Sequence, residues 1–281
     1  MSTKRVLAIH DLCSFGRCSL TAAIPVISAM GIQVCPFPTA LFSNNLTYGT
    51  FTCTDCTPDM PQFMAQWQKL GYTYDAVYSG FLGNAEQISL VIEAINRFHR
   101  TDTVIIVDPA MADDGKLYPV FTGKIVTSMR TLVQKADVIT PNYTEATMLL
   151  NEPYTPQAPT TKKIQRLCKD LTTLGPSQVI ITSVPCDHDK LKVVCYNART
   201  MIYDEYVIPR IPFVTCGTGD IFTSVVTGAL LQNKSLSATI RWAADFVSYA
   251  INYTYKAGTD SREGVQLEPC LSYLRGLQQQ K

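Results

Sequence analysis

The chain carries, in its last third, the stretch Val214-Thr215-Cys216-Gly217-Thr218-Gly219-Asp220-Ile221-Phe222-Thr223. Its two glycines let the backbone turn tightly and point successive N–H groups in one direction. Residues 221–231 form an amphipathic run that predicts a helix, and the first turn of such a helix binds anions readily. Asp220 would lie in that first turn, beside any anion bound there.

A carboxylate next to an anion site is of little use for binding phosphate alone. It is well suited to phosphoryl transfer, where N–H groups hold the migrating group and the carboxylate accepts the proton of the acceptor hydroxyl. The same four residues, 217–220, are also typical of a simple turn with an aspartate cap before a helix. The motif alone leaves both interpretations open.

The composition favours a small-molecule partner. The chain has 281 residues, with 24 Lys plus Arg against 23 Asp plus Glu and a net charge of +1. Such a balance gives no electrostatic reason to expect nucleic acid or an anionic membrane as a partner. The length suits one large α/β domain or two small ones. Because the sequence shows neither a linker nor a repeat, we expect one domain over residues 1–281.

The cysteines and the N-terminus predict a cytoplasmic protein. The apolar run at 6–9 is too short for a signal peptide or a membrane span, so the 10 cysteines are expected to be reduced thiols. Cys53 and Cys56 have the spacing of a redox or zinc motif, but no second pair matches them, and the sequence assigns them no role. We expect His10, Cys13 and Cys18 to be buried rather than to bind a metal.

Short apolar runs alternate with helical patterns along most of the chain. This alternation, with β-branched strands, predicts a three-layer α/β/α fold around a central, mostly parallel sheet. Ligands of such folds bind beyond the carboxyl ends of the strands. The predicted strands are 5–9, 33–36, 75–78, 103–107, 136–140 and 179–182, with a hairpin of 191–196 and 201–208; the predicted helices are 20–30, 58–70, 85–100, 124–134, 160–174, 219–231, 235–255 and a shorter one after Glu268.

Five segments, in a specific order and spacing, resemble a known family over essentially the whole chain. They are Leu41-Phe42-Ser43-Asn44, Val107-Asp108-Pro109, Asp137-Val138-Ile139-Thr140-Pro141-Asn142-Tyr143-Thr144-Glu145, Val179-Ile180-Ile181-Thr182-Ser183 and Gly217-Thr218-Gly219-Asp220. The series resembles the pyridoxal kinase branch of the ribokinase-like superfamily, and within it the bacterial pyridoxal/pyridoxamine kinases. The resemblance implies the ribokinase-like form of the three-layer fold.

The resemblance also implies a reaction, the transfer of the γ-phosphate of ATP to the 5′-hydroxymethyl group of a B6 vitamer. By motif position, Asp220 is the expected general base. The backbone N–H groups of Gly217, Thr218 and Gly219 are the expected anion hole, which would stabilise charge on the transferred group.

On the nucleotide side, the resemblance implies that Asn142 and Glu145 orient the metal and the phosphates. A glutamate favoured by the helix dipole is the alternative for Glu145. Glu145, Asp113 and Thr140 match positions that hold Mg²⁺, or in some relatives a monovalent cation such as K⁺ or Na⁺. Residues 112–119 match a mobile cover over ATP, and the adenine slot is assigned only broadly, to 207–213. The remaining nucleotide contacts implied are Asp108, Tyr118, Thr182, Ser183, Thr218 and Gly219.

On the vitamer side, Asp11 matches a position that hydrogen-bonds the ring substituents, where many relatives have Ser. An acidic group there could accept a hydrogen bond from the 3-hydroxyl or pair with an amine, which favours pyridoxamine or pyridoxine. Phe42 and Phe81 indicate a flat aromatic substrate, since aromatic rings stack on one another.

The segment 44–48, Asn-Asn-Leu-Thr-Tyr, departs from the family pattern. Relatives have a His-Thr-Gly run there, and Leu46 takes the place of the Thr. Either Thr47 restores the contact one residue late, or Asn45 replaces it, with Asn44 beside it, or the substrate has changed. The preference among vitamers therefore stays open.

Two other functions remain alternatives. One is a kinase for the hydroxymethylpyrimidine of thiamine synthesis, whose ring is of similar size. The other is a non-catalytic B6-binding protein on the same fold, although the full set of charged motif residues argues against it. The resemblance further implies a homodimer.

Overall fold

The computed structural model describes residues 2–187 and 189–279. In that part of the chain, nine of the strands form one sheet and two short ones form a separate hairpin. The strands are β1 (Arg5–Cys13), β2 (Gln33–Phe42), β3 (Cys53–Asp55), β4 (Ala76–Ser79), β5 (Val104–Val107), β6 (Ala112–Asp113), β7 (Lys116–Leu117), β8 (Val138–Ile139), β9 (Gln178–Pro185), β10 (Lys190–Asn197) and β11 (Ile202–Pro209).

The order of strands in the sheet is β11-β10-β9-β8-β5-β4-β1-β2-β3. The six strands from β9 to β2 run parallel to their neighbours. At the two ends, β3 is antiparallel to β2, and β10 is antiparallel to both β9 and β11. The predicted hairpin and the mostly parallel sheet are therefore both confirmed.

Helices cover both faces of the sheet. Along β1 the side chains alternate, so that Leu7 and Ile9 pack on one face and Val6 and Ala8 on the other. The first face is covered by α2 (Met60–Lys69), α3 (Ala85–Phe98), α4 (Lys124–Val133), α5 (Tyr143–Leu149) and α6 (Thr161–Thr172), and the second by α1 (Ser19–Ala29), α7 (Thr218–Leu231), α8 (Leu236–Ala257) and α9 (Leu271–Gln279). The predicted three layers are confirmed.

Several elements differ from the sequence-based prediction: β1, β2 and β9 are longer than predicted, and β3 and α5 were not predicted. β2 continues through Pro36 and Pro38 to Phe42, and β3 pairs with it only from Ala40 to Phe42. The prolines lie where the edge of β2 is open, so their missing N–H groups cost no ladder hydrogen bonds. The hairpin of β6 and β7, which the sequence analysis did not predict, turns through Asp114 and Gly115, both with positive φ (47° and 77°).

The order in which strands are added to the sheet reverses at β1. From β1 the chain passes to β2 on one side, then crosses to β4 on the other side of β1. The carboxyl ends of these strands open a crevice at this point, which is where α/β sheets bind ligands. Among the described residues, no helix is both long enough and apolar enough to cross a membrane.

Candidate active site

The glycine turn (217–220) can only be built with glycine at its first position. Gly217 caps α7 with a φ of 82°, in the left-handed region. A Cβ atom added there would lie 2.1 Å from the carbonyl oxygen of Arg17 and 3.1 Å from the Cα atom of Cys18. The turn is therefore pressed against the loop that precedes α1, and the N-terminus of α7 opens into the crevice.

Asp220 lies in the first turn of α7, with 14% of its side chain exposed. Its Oδ2 atom accepts a hydrogen bond of 2.7 Å from the backbone N–H of Ser19, which itself has a left-handed φ of 49°. Its Oδ1 atom lies 3.8 Å from Nδ1 of His10. Burial raises the pKa of Asp220 to about 7; the Ser19 hydrogen bond opposes the rise and the charge of Asp11 adds to it. A carboxylate with such a pKa is a suitable general base near neutral pH.

A second buried carboxyl, Asp108, follows β5 beside the glycine turn. Its Oδ2 atom accepts a hydrogen bond of 3.2 Å from the hydroxyl of Thr223, which also lies 2.9 Å from the hydroxyl of Thr140. Burial raises the pKa of Asp108 to about 8, and the charge of Asp220 adds to the rise. A bound cation would relieve this repulsion between like charges.

Glu145 and Asn142 form a reciprocal cap at the start of α5. The Oε2 atom of Glu145 accepts from the N–H of Asn142 at 2.8 Å, and Oδ1 of Asn142 accepts from the N–H of Glu145 at 2.9 Å. Oε1 of Glu145 accepts from the N–H of Met111 at 3.0 Å, while the Asn142 amide donates to the carbonyl of Ala112 at 2.7 Å. These contacts are those of the helix-cap alternative. A role of the pair in orienting metal and phosphates stays a prediction.

The Glu145 carboxyl nevertheless has an unusual environment for a cap. Its pKa is raised well above the usual range, first by burial and then by the charge of Asp108. In the described part of the chain, no three His, Cys, Asp or Glu side chains are arranged to hold a metal by themselves. Mg²⁺ commonly binds through one or two carboxylates together with waters and substrate phosphates, so the residues present fit such an ion. Asp113 is exposed on β6, and its role as a ligand stays a prediction.

The segment predicted to cover the nucleotide contacts the vitamer side of the crevice. Tyr118 packs in a group of three aromatic rings with Phe81 and Phe121, whose centroids are 5.4 to 6.4 Å apart. Burial raises the pKa of Tyr118. Because Phe81 is a predicted wall of the ring pocket, the cover and that pocket share a surface.

Thr182 and Ser183 form a bulge in β9. Ile181 pairs with Val194 and Val184 with Lys192, so the two residues together oppose a single residue of β10. Ser183 has a left-handed φ of 53°, and the Thr182 N–H donates to the carbonyl of Pro141 at 3.0 Å. The bulge lies at the same sheet edge as Asn142, and nucleotide binding by these two residues stays a prediction.

A cavity of about 160 Å³ at the carboxyl ends of β1 and β2 brings together three of the predicted vitamer contacts. The Asp11 carboxylate accepts hydrogen bonds from the hydroxyl of Ser19 at 2.6 Å and from the thiol of Cys13 at 3.3 Å. Burial raises the pKa of Asp11. The lining comprises Asp11, Phe42 and Phe81 together with Thr39, Ala40, Cys53, Asp55, Gly83, Asn84 and Gln87.

The β2–β3 loop (43–52) does not place its predicted contacts in that cavity. Asn45 is 3% exposed, and its amide donates to the carbonyl of Arg262 at 2.7 Å. Its Oδ1 atom accepts from both the N–H and the hydroxyl of Thr47. The Asn44 amide donates to the carbonyl of Thr50 at 2.8 Å. Among the described residues lining the cavity, none of these three side chains occurs, but Asn44 lines a second cavity together with Phe15, Ser43, Tyr48 and Thr50. A contact of Asn44, Asn45 or Thr47 with the vitamer stays a prediction.

Two residues beside Asp220 were not predicted as site residues. Ser19 contacts Asp220 through its backbone N–H and Asp11 through its hydroxyl, and the sequence around it shows no pattern that indicates this. His10 interrupts the apolar run of β1, which is the one feature that could have drawn attention to it. Its predicted burial is confirmed.

The fold and the crevice first define a class, a kinase of ribokinase-like fold in which Ser19 links a small cavity to the buried carboxyl of Asp220. The chain belongs to the phosphomethylpyrimidine kinase family, whose pattern matches residues 14–264. It is 28% identical over 271 residues to a pyridoxal kinase of Paraburkholderia xenovorans (strain LB400), covering 91% of this chain and 90% of the relative.

Two crystal structures match nearly the whole chain. One is a proposed phosphomethylpyrimidine kinase from Bacteroides thetaiotaomicron VPI-5482, in an orthorhombic form with pyridoxal; it is 42% identical, with a TM-score of 0.94 and coverage of 97% of this chain and 96% of that one. The other is pyridoxal kinase from Lactobacillus plantarum, 29% identical, with a TM-score of 0.90 and coverage of 99% and 98%. The predicted ribokinase-like fold and kinship with pyridoxal kinases are confirmed.

Proposed function

We propose that this protein is an ATP-dependent kinase that phosphorylates the 5′-hydroxymethyl group of a B6 vitamer, as in vitamin B6 salvage. One observation carries the proposal: Ser19 joins the base to the ring pocket, with its N–H on Asp220 and its hydroxyl on Asp11. A ring that contacts Asp11 in the cavity is therefore separated from the base by a single side chain, that of Ser19. The relative that is 42% identical was solved with pyridoxal.

The residues of this chain would divide the chemistry as follows. Asp220 takes the proton of the hydroxyl as its oxygen bonds to the γ-phosphorus and the bond to the β-phosphate oxygen breaks, which releases ADP; without a base an alcohol is a poor nucleophile. The N–H groups of Gly217, Thr218 and Gly219 stabilise the charge that spreads over the oxygens of the transferred phosphoryl group. Tyr118 and its segment exclude water, which limits idle hydrolysis of ATP.

The buried carboxyls support the use of ATP with magnesium. Asp108 and Glu145 have raised pKa values, and no cationic side chain in the described part of the chain forms an ion pair with them, so they suit a divalent ion bound with the nucleotide. Such an ion would neutralise charge on the phosphates. The additional ligands we propose are Asp113 and Thr140, with K⁺ or Na⁺ as a second cation; the other nucleotide contacts are Asn142, Thr182 and Ser183.

We further propose that the protein is a cytoplasmic homodimer of single-domain subunits. All ten cysteines are free thiols in the described part of the chain, which suits a reducing compartment. The dimer rests on the family resemblance, and sedimentation velocity with the full chain tests it: a single species at the monomer mass over the working concentration range contradicts it.

A product assay tests the proposed function. The enzyme is incubated with ATP and Mg²⁺ and, in separate reactions, pyridoxal, pyridoxamine, pyridoxine and hydroxymethylpyrimidine, and the phosphorylated product and ADP are quantified. We expect equal amounts of ADP and a B6 5′-phosphate. Turnover of the pyrimidine alone moves the enzyme to thiamine synthesis, which the family name admits. Saturable binding of a vitamer without ADP formation identifies a non-catalytic binding protein.

A further inference from the structure

His10 is a fully buried histidine whose ring nitrogens both lack a hydrogen-bond partner among the described residues. It lies on β1 between Ile9 and Asp11, beside the crevice. Buried polar atoms without partners are uncommon and cost free energy, so each one calls for an explanation. For Nδ1, the position beside Asp220 supplies the explanation.

The Nδ1 atom of His10 lies 3.8 Å from Oδ1 of Asp220, and the other carboxylate oxygen is already held by the Ser19 N–H. We propose that His10 is a positioning residue of the phosphoryl transfer, whose neutral imidazole donates its Nδ1–H to Oδ1 of Asp220 in the complex with substrates. The proposal rests on the proposed function. A shift of about 1 Å closes the distance to a hydrogen bond, and catalytic hydrogen bonds commonly tighten in this way when substrates bind.

The imidazole acts as a donor and not as a relay for the proton. Burial lowers the pKa of His10 to about 3, whereas the pKa of Asp220 is raised to about 7. The proton taken from the substrate hydroxyl therefore stays on Asp220. With one donor on each oxygen, the carboxylate cannot rotate, and its remaining lone pairs stay directed into the crevice.

The surrounding residues fix the ring in place. The ring of Tyr78 stands edge-on to the imidazole, with centroids 4.3 Å apart and planes at 80°, and its hydroxyl lies 3.3 Å from the Asp220 carbonyl, to which it donates. A Cβ atom on Gly80 would lie 2.2 Å from Nδ1 of His10, so only glycine at that position leaves room for the ring. His10, Tyr78 and Gly80 thus form a buried support behind the base.

A pair of variants tests this role. His10→Leu keeps an apolar side chain of similar size but has no donor, and His10→Asn keeps an N–H donor near the position of Nδ1. We expect His10→Leu to lower kcat about tenfold to a hundredfold, the range known for losing the hydrogen-bond partner that orients a metal ligand. The KM values for vitamer and ATP should stay within about twofold, and His10→Asn should recover most of kcat. A wild-type kcat in His10→Leu, or equal losses in both variants, overturns the proposal.

A spectroscopic readout makes the proposal testable without turnover. The chain has 3 histidines, so long-range ¹H–¹⁵N NMR of the full chain, with His10→Asn for assignment, separates their ring signals. We expect His10 to be the neutral Nδ1–H tautomer when a non-hydrolysable ATP analogue and a vitamer are bound. An Nε2–H tautomer or an imidazolium overturns the proposal even if the vitamers are phosphorylated. Absence of any B6 product leaves the tautomer result intact and overturns the proposed function instead.

Discussion

At the glycine turn the polar groups are carboxyls that burial disfavours in their charged form, whereas in the β2–β3 loop they are amides and hydroxyls that satisfy one another. Asp220 and Asp108 have raised pKa values, and among the described residues each carboxyl accepts one hydrogen bond. Asn45 instead uses both atoms of its amide, for Arg262 and Thr47. The first region stores electrostatic free energy that bound substrates and cations can release, and the second holds its own shape.

This difference separates two kinds of contribution to catalysis. Buried carboxyls with raised pKa values change the rate of the chemical step, because their interactions with the substrates become stronger as charge develops in the transition state. A loop satisfied by its own hydrogen bonds changes how well the substrate is placed. Substitutions in the first region should therefore act mainly on kcat, and substitutions in the second mainly on KM.

The largest effect is expected for Asp220→Asn. The amide keeps the shape of the side chain but cannot accept the proton, so kcat should fall by about 10²–10⁴. Thermal unfolding should show a native fold, since the neutral side chain also loses the penalty of a buried charge. Asp102→Asn, at an exposed aspartate before β5, is the matched control and should have wild-type kcat. Wild-type turnover in Asp220→Asn contradicts the assignment of the base.

The next largest effect is expected for Gly217→Ala. The added Cβ atom would lie 2.1 Å from the backbone carbonyl oxygen of Arg17, so the turn has to move and its N–H groups no longer point at the transferred phosphoryl group. Both kcat and the melting temperature should fall. Gly258→Ala is the matched control, because Gly258 is also left-handed, with a φ of 67°, but has open space at its Cβ position. That variant should cost only the backbone strain, about 1–2 kcal/mol. Equal effects of the two variants would show that the contact with Arg17 is unimportant.

The sequence predicted the first region better than the second. Asp11, Asp108 and Asp220 are far apart in the chain, yet all were expected at one crevice, because carboxyl ends of parallel strands share one edge of the sheet. The helix cap formed by Asn142 and Glu145 could also be predicted, since the two residues are only three positions apart in the sequence.

Contacts between distant segments could not be predicted. Nothing in the sequence near Asn45 indicates that its partner is the carbonyl of Arg262, because any residue presents such a carbonyl. His10 lies beside Asp220 only because β1 and the start of α7 meet in the folded chain. The substrate contacts predicted for the β2–β3 loop therefore stay a prediction, since a family pattern shows which residue is absent but not what the new residue binds.

A smaller effect is expected for Asn45→Asp, which tests the second region. The substitution keeps the Oδ1 acceptor for Thr47 but places a carboxylate oxygen against the carbonyl of Arg262, where the amide donated. The loop should loosen, so KM for the vitamer should rise several-fold while KM for ATP and kcat change less. Asn44→Asp in the same loop is the comparison variant. A fall in kcat at unchanged KM would place Asn45 with the catalytic groups after all.

The last prediction concerns stability and pH. A carboxyl whose pKa is higher in the folded than in the unfolded protein destabilises the fold progressively as pH rises, from about 4, the unfolded value, towards its folded pKa of about 8 for Asp108. Asp108→Asn should therefore raise the melting temperature of the unliganded enzyme at pH 8.5 and leave it nearly unchanged at pH 5, while lowering activity. Each unit by which the folded pKa exceeds the unfolded one corresponds to about 1.4 kcal/mol, and about 1 kcal/mol shifts the midpoint by roughly 2–4 °C, so the expected rise is on the order of ten degrees. Calorimetry at the two pH values checks this, with Asp102→Asn as control. A rise of the same size at both pH values would mean that Asp108→Asn stabilises the fold through packing and not by removing a buried charge, which would contradict the contrast between the two regions.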